Sequence, residues 1–278
     1  MRIAATHTTI YRYTQPVALE PHTIRLRPRD DAAQRVVSHR LSISPAPAGQ
    51  SAFSDQDGNG VVQAWFMGGV RELAVESAFV VETLRANPFD FLLPPAHDLE
   101  LPLRLPDGLR TALAPYLETS GQAKDFAAPI ANASGRQLMP FLDALTAALF
   151  RGFRHIVRRD GGPRAAAQTL AEGEGSCRDL AVLFTEACRA EGVPARFVSG
   201  YETAAAFDEH AYMHAWAEVF VPNGGWRGYD PSRGMAVSTA HVAVAAAADP
   251  AMAAPIIGTY RGSAESTMDF QIQMQANG

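Results

Sequence analysis

Cysteine is scarce in this sequence: Cys177 and Cys188 are the only two among 278 residues. On one helix, residues 177 and 188 would have Cα atoms about 16 Å apart at 1.5 Å of rise per residue. A disulfide needs Cα atoms within about 7 Å of each other. We therefore expect two free thiols, which is typical of proteins in a reducing compartment.

Lysine is nearly absent, and basic clusters and long apolar runs are missing. Lys124 is the one lysine among 24 basic residues, and the net charge is -5. Without a dense basic run the chain is not expected to bind nucleic acid. No apolar run approaches the roughly 20 residues that span a bilayer, and the first residues lack the apolar segment of a signal peptide. These absences predict a cytoplasmic protein with no membrane partner.

The N-terminal third has the pattern of a β domain. Residues 2–85 carry strand-like alternation without helical periodicity, with a strong turn sequence at 57–60. Prolines, which interrupt both helices and strands, are concentrated in residues 86–107. The sequence therefore predicts an antiparallel β-sandwich domain at 1–93 and a second domain at 94–278. We expect the scattered histidines of the first domain to be surface or packing residues: His7, His22 and His39.

The second domain mixes helices and strands, which predicts an α+β class. Apolar spacing and helix-stop signals predict helices at 108–118, 125–133, 136–153 and 164–170, and a further helix from Cys177 to Gly192. Alternation predicts strands at 196–201, 214–221 and 226–229, and a last pair of strands at 241–246 and 267–274.

Cys177 lies where a Gly-rich loop meets an amphipathic helix. A thiol on the first helical turn lies beside unpaired backbone N–H groups and the positive end of the helix dipole, which favour the reactive thiolate. Cys188, in the middle of the same helix, has no such surroundings. Burial alone is an equally simple interpretation of Cys177, because free cysteine is among the most buried residue types.

A thiol nucleophile needs a base, and the base needs an acceptor on its second ring nitrogen. His214 begins a predicted strand and Asp230 ends the next one, so both side chains can reach a cleft. Taken singly, His214 could be a histidine satisfied within a sheet, and Asp230 a turn-forming residue before Pro231. The order and contexts together predict a triad of Cys177, His214 and Asp230.

Two other interpretations compete with this one. Asp208, His210 and His214 include the i, i+4 histidine pair of a helical zinc site, but His214 begins a β-patterned run. We therefore expect no metal and no cofactor. A non-catalytic binding or scaffolding module is the alternative function, and an intact triad argues against it.

Four segments in succession carry a family resemblance: Gly175-Ser-Cys-Arg-Asp179, Pro194-Ala-Arg-Phe-Val-Ser-Gly-Tyr201, His214-Ala-Trp-Ala-Glu218 and Gly225-Trp-Arg-Gly-Tyr-Asp-Pro231. They resemble the motifs of the transglutaminase-like superfamily, which is similar in fold to papain-type cysteine proteases and uses a Cys-His-Asp triad. The segment Tyr11-Arg-Tyr-Thr-Gln-Pro-Val17 resembles the opening of the N-terminal β domain in bacterial members.

The resemblance implies that Cys177 is the nucleophile, His214 the base and Asp230 the residue that orients it. It also implies that Tyr201 and Trp216 line the substrate cleft. Ser176 and Arg178 flank the thiol in the same cleft. Bacterial relatives more often have Gln where this chain has Arg178.

The reaction expected from this resemblance is cysteine-dependent acyl transfer through a thioester. The substrate would be a peptide, a protein or a small amide. We expect hydrolysis rather than cross-linking, because water is always available as an acceptor.

The spacing of the last two triad residues raises a geometric problem. A two-residue hairpin at Asn223 and Gly224 would set Asp230 opposite Ala217, on the face away from His214 and about 10 Å along the strand. The triad therefore predicts a bulge, an odd-length loop or a strand bend near Gly224.

Overall fold

The computed structural model describes residues 1–158, 161–203 and 212–277. The strands of the first half are β1 (Arg2–Leu19), β2 (His22–Ile24), β3 (Gln34–Ser44), β4 (Gly49–Ser54), β5 (Gly60–Trp65) and β6 (Val70–Thr83). The helices are α1 (Asp107–Ala112), α2 (Lys124–Ala133), α3 (Leu138–Gly152), α4 (Ala166–Glu172) and α5 (Cys177–Ala190). The remaining strands are β7 (Arg154–His155), β8 (Glu174–Gly175), β9 (Ala195–Glu202), β10 (His214–Val221), β11 (Gly225–Asp230), β12 (Met235–Ala236), β13 (His241–Ala247), β14 (Ile256–Ile257), β15 (Tyr260–Arg261) and β16 (Ser266–Asn277).

The N-terminal half consists of two antiparallel sheets. In the larger sheet β1 lies between β6 and β16, and β3 flanks β6. The smaller sheet has the order β14, β2, β5, β4, and the predicted turn at 57–60 falls where β4 passes into β5. Burial alternates along β1 and β6, as expected of strands with one face against a core. The predicted antiparallel β architecture is confirmed.

The end of the chain returns to the N-terminal sheets. β16 pairs with β1 from Arg2 opposite Asn277 to Tyr13 opposite Ser266. The two strands predicted last in the chain are present but do not pair with each other, because β13 pairs with β9 and β16 with β1. Both segments are strands, but each adds to a different sheet. The boundary at 93/94 stays a prediction, and the N-terminal sheet includes residues from beyond it.

The second half is an α+β unit, as predicted. Its five-stranded antiparallel sheet has the order β12, β11, β10, β9, β13. α5 packs on β9 and β10, with α2, α3 and α4 around it. The apolar stripe of α3 is fully buried, including Phe141, Leu142 and Leu145, and Pro140 lies in the first turn of this helix. Burial of this stripe fixes α5 against the sheet, and with it the position of Cys177.

One apolar cluster joins the two halves. Ile3 and Phe79 of the N-terminal sheet pack with Tyr201, Val242 and Val244 of the second sheet. The N-terminal sheet therefore covers part of the sheet that carries His214. Within the described residues, no helix combines the length and apolar character that a membrane span requires.

Candidate functional site

Cys177 is the first residue of α5 and is half-buried. The loop before it is held by Asp179, a fully buried carboxylate in the first turn. This carboxylate accepts hydrogen bonds from the Ser176 N–H at 2.9 Å and the Ser176 hydroxyl at 2.8 Å. It also accepts from the Arg164 N–H at 2.8 Å and from Arg158 Nη1 at 2.6 Å. The helix start is therefore fixed by a capping box between Ser176 and Asp179, and Asp179 also ties it to Arg158 and Arg164.

Asp179 stays ionised in spite of its burial. Burial raises the pKa of its carboxyl group, but the hydrogen bonds from Arg164, Ser176 and Arg158 outweigh burial and leave the pKa below its usual value. Asp179 was not singled out in the sequence. The signal was present, because a serine followed three residues later by an acid marks a helix start.

The register of β10 and β11 brings His214 and Asp230 to the same face. Ala217 pairs with Tyr229, one residue short of Asp230, because the connecting loop 222–224 has three residues. A shift of one residue in register reverses which face a side chain occupies. The predicted odd-length loop is confirmed, and His214 Nε2 lies 2.6 Å from Asp230 Oδ2.

His214 contacts Cys177 as well as Asp230. Its Nε2 bonds to the carboxylate, so Nδ1 is the ring nitrogen that remains available to the thiol. Burial lowers the pKa of His214, but the hydrogen bonds and charges of Asp230 and Cys177 outweigh burial and raise the pKa to about 10. The three predicted triad residues are therefore in contact, in an arrangement that stabilises an imidazolium next to the sulfur.

Asp230 is fully buried and accepts five hydrogen bonds. Oδ1 accepts from the Ser232 N–H at 3.0 Å, the Ser232 hydroxyl at 2.7 Å and the Arg233 N–H at 3.1 Å. Oδ2 accepts from His214 at 2.6 Å and from His241 at 3.1 Å. Burial alone would raise the pKa of Asp230, but the hydrogen bonds and charges of both histidines hold it far below its usual value.

The predicted turn role of Asp230 is correct as well, since Ser232 and Arg233 close a turn on its side chain. The structural and functional interpretations of this residue are compatible. His241, like Asp179, is a residue of this site that the sequence did not single out as a contributor.

A cavity of about 730 Å³ opens beside Cys177 and His214. One wall comes from the N-terminal half of the molecule and the C-terminal strand, with His7, Thr9 and Tyr11 on β1 and Met268 and Phe270 on β16. These five residues lie far from Cys177 in sequence. The cavity therefore lies between the two halves of the chain, and both halves shape it.

His7 is a packing histidine, as predicted, and it also faces the cavity. It is 3% exposed, and its Nδ1 lies 2.7 Å from the Tyr201 hydroxyl. Burial lowers its pKa to about 4, so it is neutral near pH 7.

The four predicted cleft residues divide into two groups. Ser176 and Arg178 line the cavity beside Cys177, and their contact with a substrate stays a prediction. Tyr201 and Trp216 do not line it: both are buried, and the expectation that they line the cleft was wrong. Tyr201 is covered by the N-terminal sheet, where its ring packs 5.3 Å from that of Phe79.

Trp216 lies behind the site on the sheet face away from α5. It packs there with Val198, Ala243 and Ala246. Its ring centroid is 6.3 Å from that of His214 and 5.2 Å from that of His241. Its ring therefore packs beside both histidines and does not line the cavity.

Among the described residues, His214, Asp230 and His241 have ligand atoms within 4.8 Å of one another. Both Nε2 atoms point at the carboxylate as hydrogen-bond donors, whereas a metal would need their lone pairs. The grouping is thus accounted for by hydrogen bonding. Asp208 and His210, which with His214 made up the alternative metal site, lie outside the described residues.

Both halves of the chain match family models. The model of the bacterial transglutaminase-like N-terminal region matches residues 3–82, and that of the transglutaminase-like superfamily matches residues 124–231. Rv2569c of Mycobacterium tuberculosis is 30% identical over 295 residues, an alignment that covers 98% of this chain and 92% of the relative. ML0607 of Mycobacterium leprae is 25% identical, with 98% of each chain covered.

A solved structure shares the same architecture. A protein from Cytophaga hutchinsonii, described as a possible cysteine protease, superposes with a TM-score of 0.72 at 20% identity, covering 100% of this chain and 92% of that chain. The fold is thus of the cysteine-protease-like α+β class. The chain belongs to the transglutaminase-like superfamily.

Proposed function

We propose that this protein is a cysteine-dependent hydrolase of amide or peptide bonds. The observation that carries the proposal is that His214, whose Nε2 lies 2.6 Å from Asp230 Oδ2, lines the same cavity as Cys177, the first residue of α5. This arrangement supplies a nucleophile, a proton carrier and an orienting carboxylate in the order that thiol-based acyl transfer requires.

In the first step the Cys177 sulfur attacks the carbonyl carbon of the amide. The carbon–nitrogen bond then breaks, and the His214 imidazolium gives its proton to the departing amine. The acyl group remains on Cys177 as a thioester. The N–H of Cys177, at the helix start where backbone donors have no intrahelical acceptor, is placed to stabilise the developing oxyanion.

In the second step water attacks the thioester carbonyl while His214 accepts a proton from it. The carbon–sulfur bond breaks, the carboxylic acid leaves, and the proton on His214 restores the thiolate–imidazolium pair. Asp230 keeps the imidazole in one orientation and stabilises its charge throughout. A primary amine in place of water would give transamidation, and we propose that water is the main acceptor.

The cavity supports a preference for apolar groups beside the scissile bond. Ile156, Met268 and Phe270 line it, whereas its charged wall includes the Glu202–Arg233 ion pair at 2.7 Å. An apolar side chain of a peptide or an apolar acyl group would bury surface against these residues.

The test is a library of peptides and small amides incubated with the wild type and with Cys177→Ala, with products identified by mass spectrometry. Hydrolysis by the wild type alone is the expected result. Added glycine ethyl ester measures the share of transamidation. Equal product formation by the wild type and Cys177→Ala would overturn the proposal.

An assay that needs no substrate distinguishes a catalytic function from that of a non-catalytic binding or scaffolding module. Iodoacetamide should alkylate Cys177 much faster in the wild type than in His214→Ala at pH 7, because the imidazolium stabilises the thiolate. Cys188, which is fully buried, is the internal control. Equal, slow alkylation of residue 177 in both proteins would favour a binding or scaffolding module. The cytoplasmic location and the absence of a nucleic-acid partner stay predictions.

A further inference from the structure

The carboxylate of Asp230 is shared by two histidines. Its Oδ2 accepts from His214 at 2.6 Å and from His241 at 3.1 Å, and the side chain of His241 has no exposed surface. His241 begins β13, which pairs with β9 and not with the strand that carries Asp230. This hydrogen bond therefore joins parts of the sheet that are not neighbours.

The second ring nitrogen of His241, Nδ1, forms no hydrogen bond among the described residues. This nitrogen is also buried. The proton consequently belongs on Nε2, where the carboxylate accepts it, and not on Nδ1, where it would be a buried donor without an acceptor. Contact with Asp230 is thus the one polar interaction of this side chain in the described structure.

The ring of His241 has little freedom to turn away. Trp216 packs edge-on against it, with ring centroids 5.2 Å apart and an interplanar angle of 75°. The strand behind it is fixed because the Gln34 side chain bonds both the N–H and the carbonyl of Ala243, each at 2.8 Å. The ring Nε2–H of His241 is therefore held in place before any substrate binds.

We propose that His241 is a positioning residue that holds the Asp230 carboxylate in the orientation His214 requires. The proposal rests on the proposed function of the triad. Ser232 and Arg233 fix one carboxylate oxygen, and His241 supplies a fixed donor to the other. The carboxylate then cannot rotate away as His214 gains and loses its proton, so the imidazole stays directed at Cys177.

The test compares His241→Gln with His241→Leu. The glutamine amide retains an N–H donor near the position of Nε2, whereas leucine fills space without a donor. We expect His241→Leu to lower kcat roughly 10- to 100-fold, the effect of one lost hydrogen bond to a buried charged group. His241→Gln should retain kcat within about 5-fold. KM should change little in either variant, because His241 does not line the cavity.

Equal loss in both variants would show that the activity does not depend on the hydrogen-bond donor, and unchanged kcat in His241→Leu would show that the hydrogen bond is dispensable. Either result overturns the proposal while the activity of the wild type stands. If the wild type has no hydrolase activity, the alkylation rate of Cys177 at pH 7 serves instead, with the same order expected: wild type, then His241→Gln, then His241→Leu.

Folding of the leucine variant is checked by thermal unfolding. If it does not fold, nitrogen-15 NMR of the wild type and Asp230→Asn decides the matter. A hydrogen-bonded His241 Nε2–H signal whose chemical shift changes in Asp230→Asn supports the proposal. An unchanged chemical shift of this signal refutes it.

Discussion

The side-chain amide of Asn59 bonds both backbone groups of Ala246. Its Oδ1 accepts from the Ala246 N–H at 2.8 Å, and its Nδ2 donates to the Ala246 carbonyl at 2.8 Å. The side-chain amide of Gln34 bonds the N–H and the carbonyl of Ala243 in the same way. Two side-chain amides from the N-terminal half therefore bond backbone groups on the outer edge of β13. These bonds leave the N–H and carbonyl groups of Ala243 and Ala246 unavailable for pairing with another chain.

Replacing Asn59 by Ala should therefore destabilise the whole molecule. The substitution leaves a buried N–H and carbonyl of Ala246 without partners, and we expect the free energy of unfolding to fall by about 2–4 kcal/mol. Urea denaturation measures it. Gln63→Ala, which removes an exposed amide from the neighbouring strand β5, is the control and should change stability by less than about 0.5 kcal/mol. Equal effects of the two substitutions would contradict this prediction.

The pH dependence of catalysis should report the raised pKa of His214. Because this pKa is about 10, the imidazolium persists through neutral pH and is lost as the pH rises through about 10. We therefore expect kcat/KM to fall on the alkaline side near pH 10 and not near the 6.5 of an ordinary histidine. A fall near 6.5 would mean that Asp230 and Cys177 do not stabilise the charged ring.

Asp230→Asn should move this alkaline limb to lower pH. Loss of the carboxylate charge leaves burial, which lowers the pKa of His214, opposed by Cys177 alone, so a shift of roughly 1–3 pH units is expected. His97→Gln is the control, since His97 is exposed and does not line the cavity. Its alkaline limb should stay near pH 10.

Asp179→Asn should loosen the start of the cysteine helix. The substitution removes the charge partner of Arg158 and replaces an acceptor of the Ser176 and Arg164 groups by a donor, so we expect a loss of about 3–5 kcal/mol in unfolding free energy. Asp107→Asn, an exposed acid in the first turn of α1, is the control. Thermal and urea denaturation measure both, and similar losses would show that burial of Asp179 is unimportant.

The contribution of the C-terminal strand to substrate binding is tested on β16. Phe270 lines the cavity, whereas Met274, four residues further along the same strand, does not. Phe270→Ala should raise KM for an apolar substrate roughly 3- to 30-fold through lost apolar burial, with a smaller change in kcat. Met274→Ala should leave KM unchanged. The comparison fails if both variants behave alike.

Several parts of the fold follow from local sequence alone. The apolar stripe of α3, the loop and helix around Cys177, and the alternation of β10 each depend on residues within one or two turns or strand repeats. Because His214 and Asp230 must share a face, the sequence also predicted a bulge, an odd-length loop or a bend between them, and the structure has the odd-length loop. In the structure Asn223 and Gly225 take left-handed φ values of 61° and 66°, which an Asn and a Gly adopt readily.

The sequence by itself thus determined the elements, the order of the chemical groups and the family. The tertiary structure alone decided which strand β16 joins, why Tyr201 is covered by the N-terminal sheet, and that His241 meets Asp230. The physical reason is that these contacts depend on pairing between distant segments, as between Arg2 and Asn277. Local periodicity states that a strand has a buried face, but only packing of the whole chain decides what covers it.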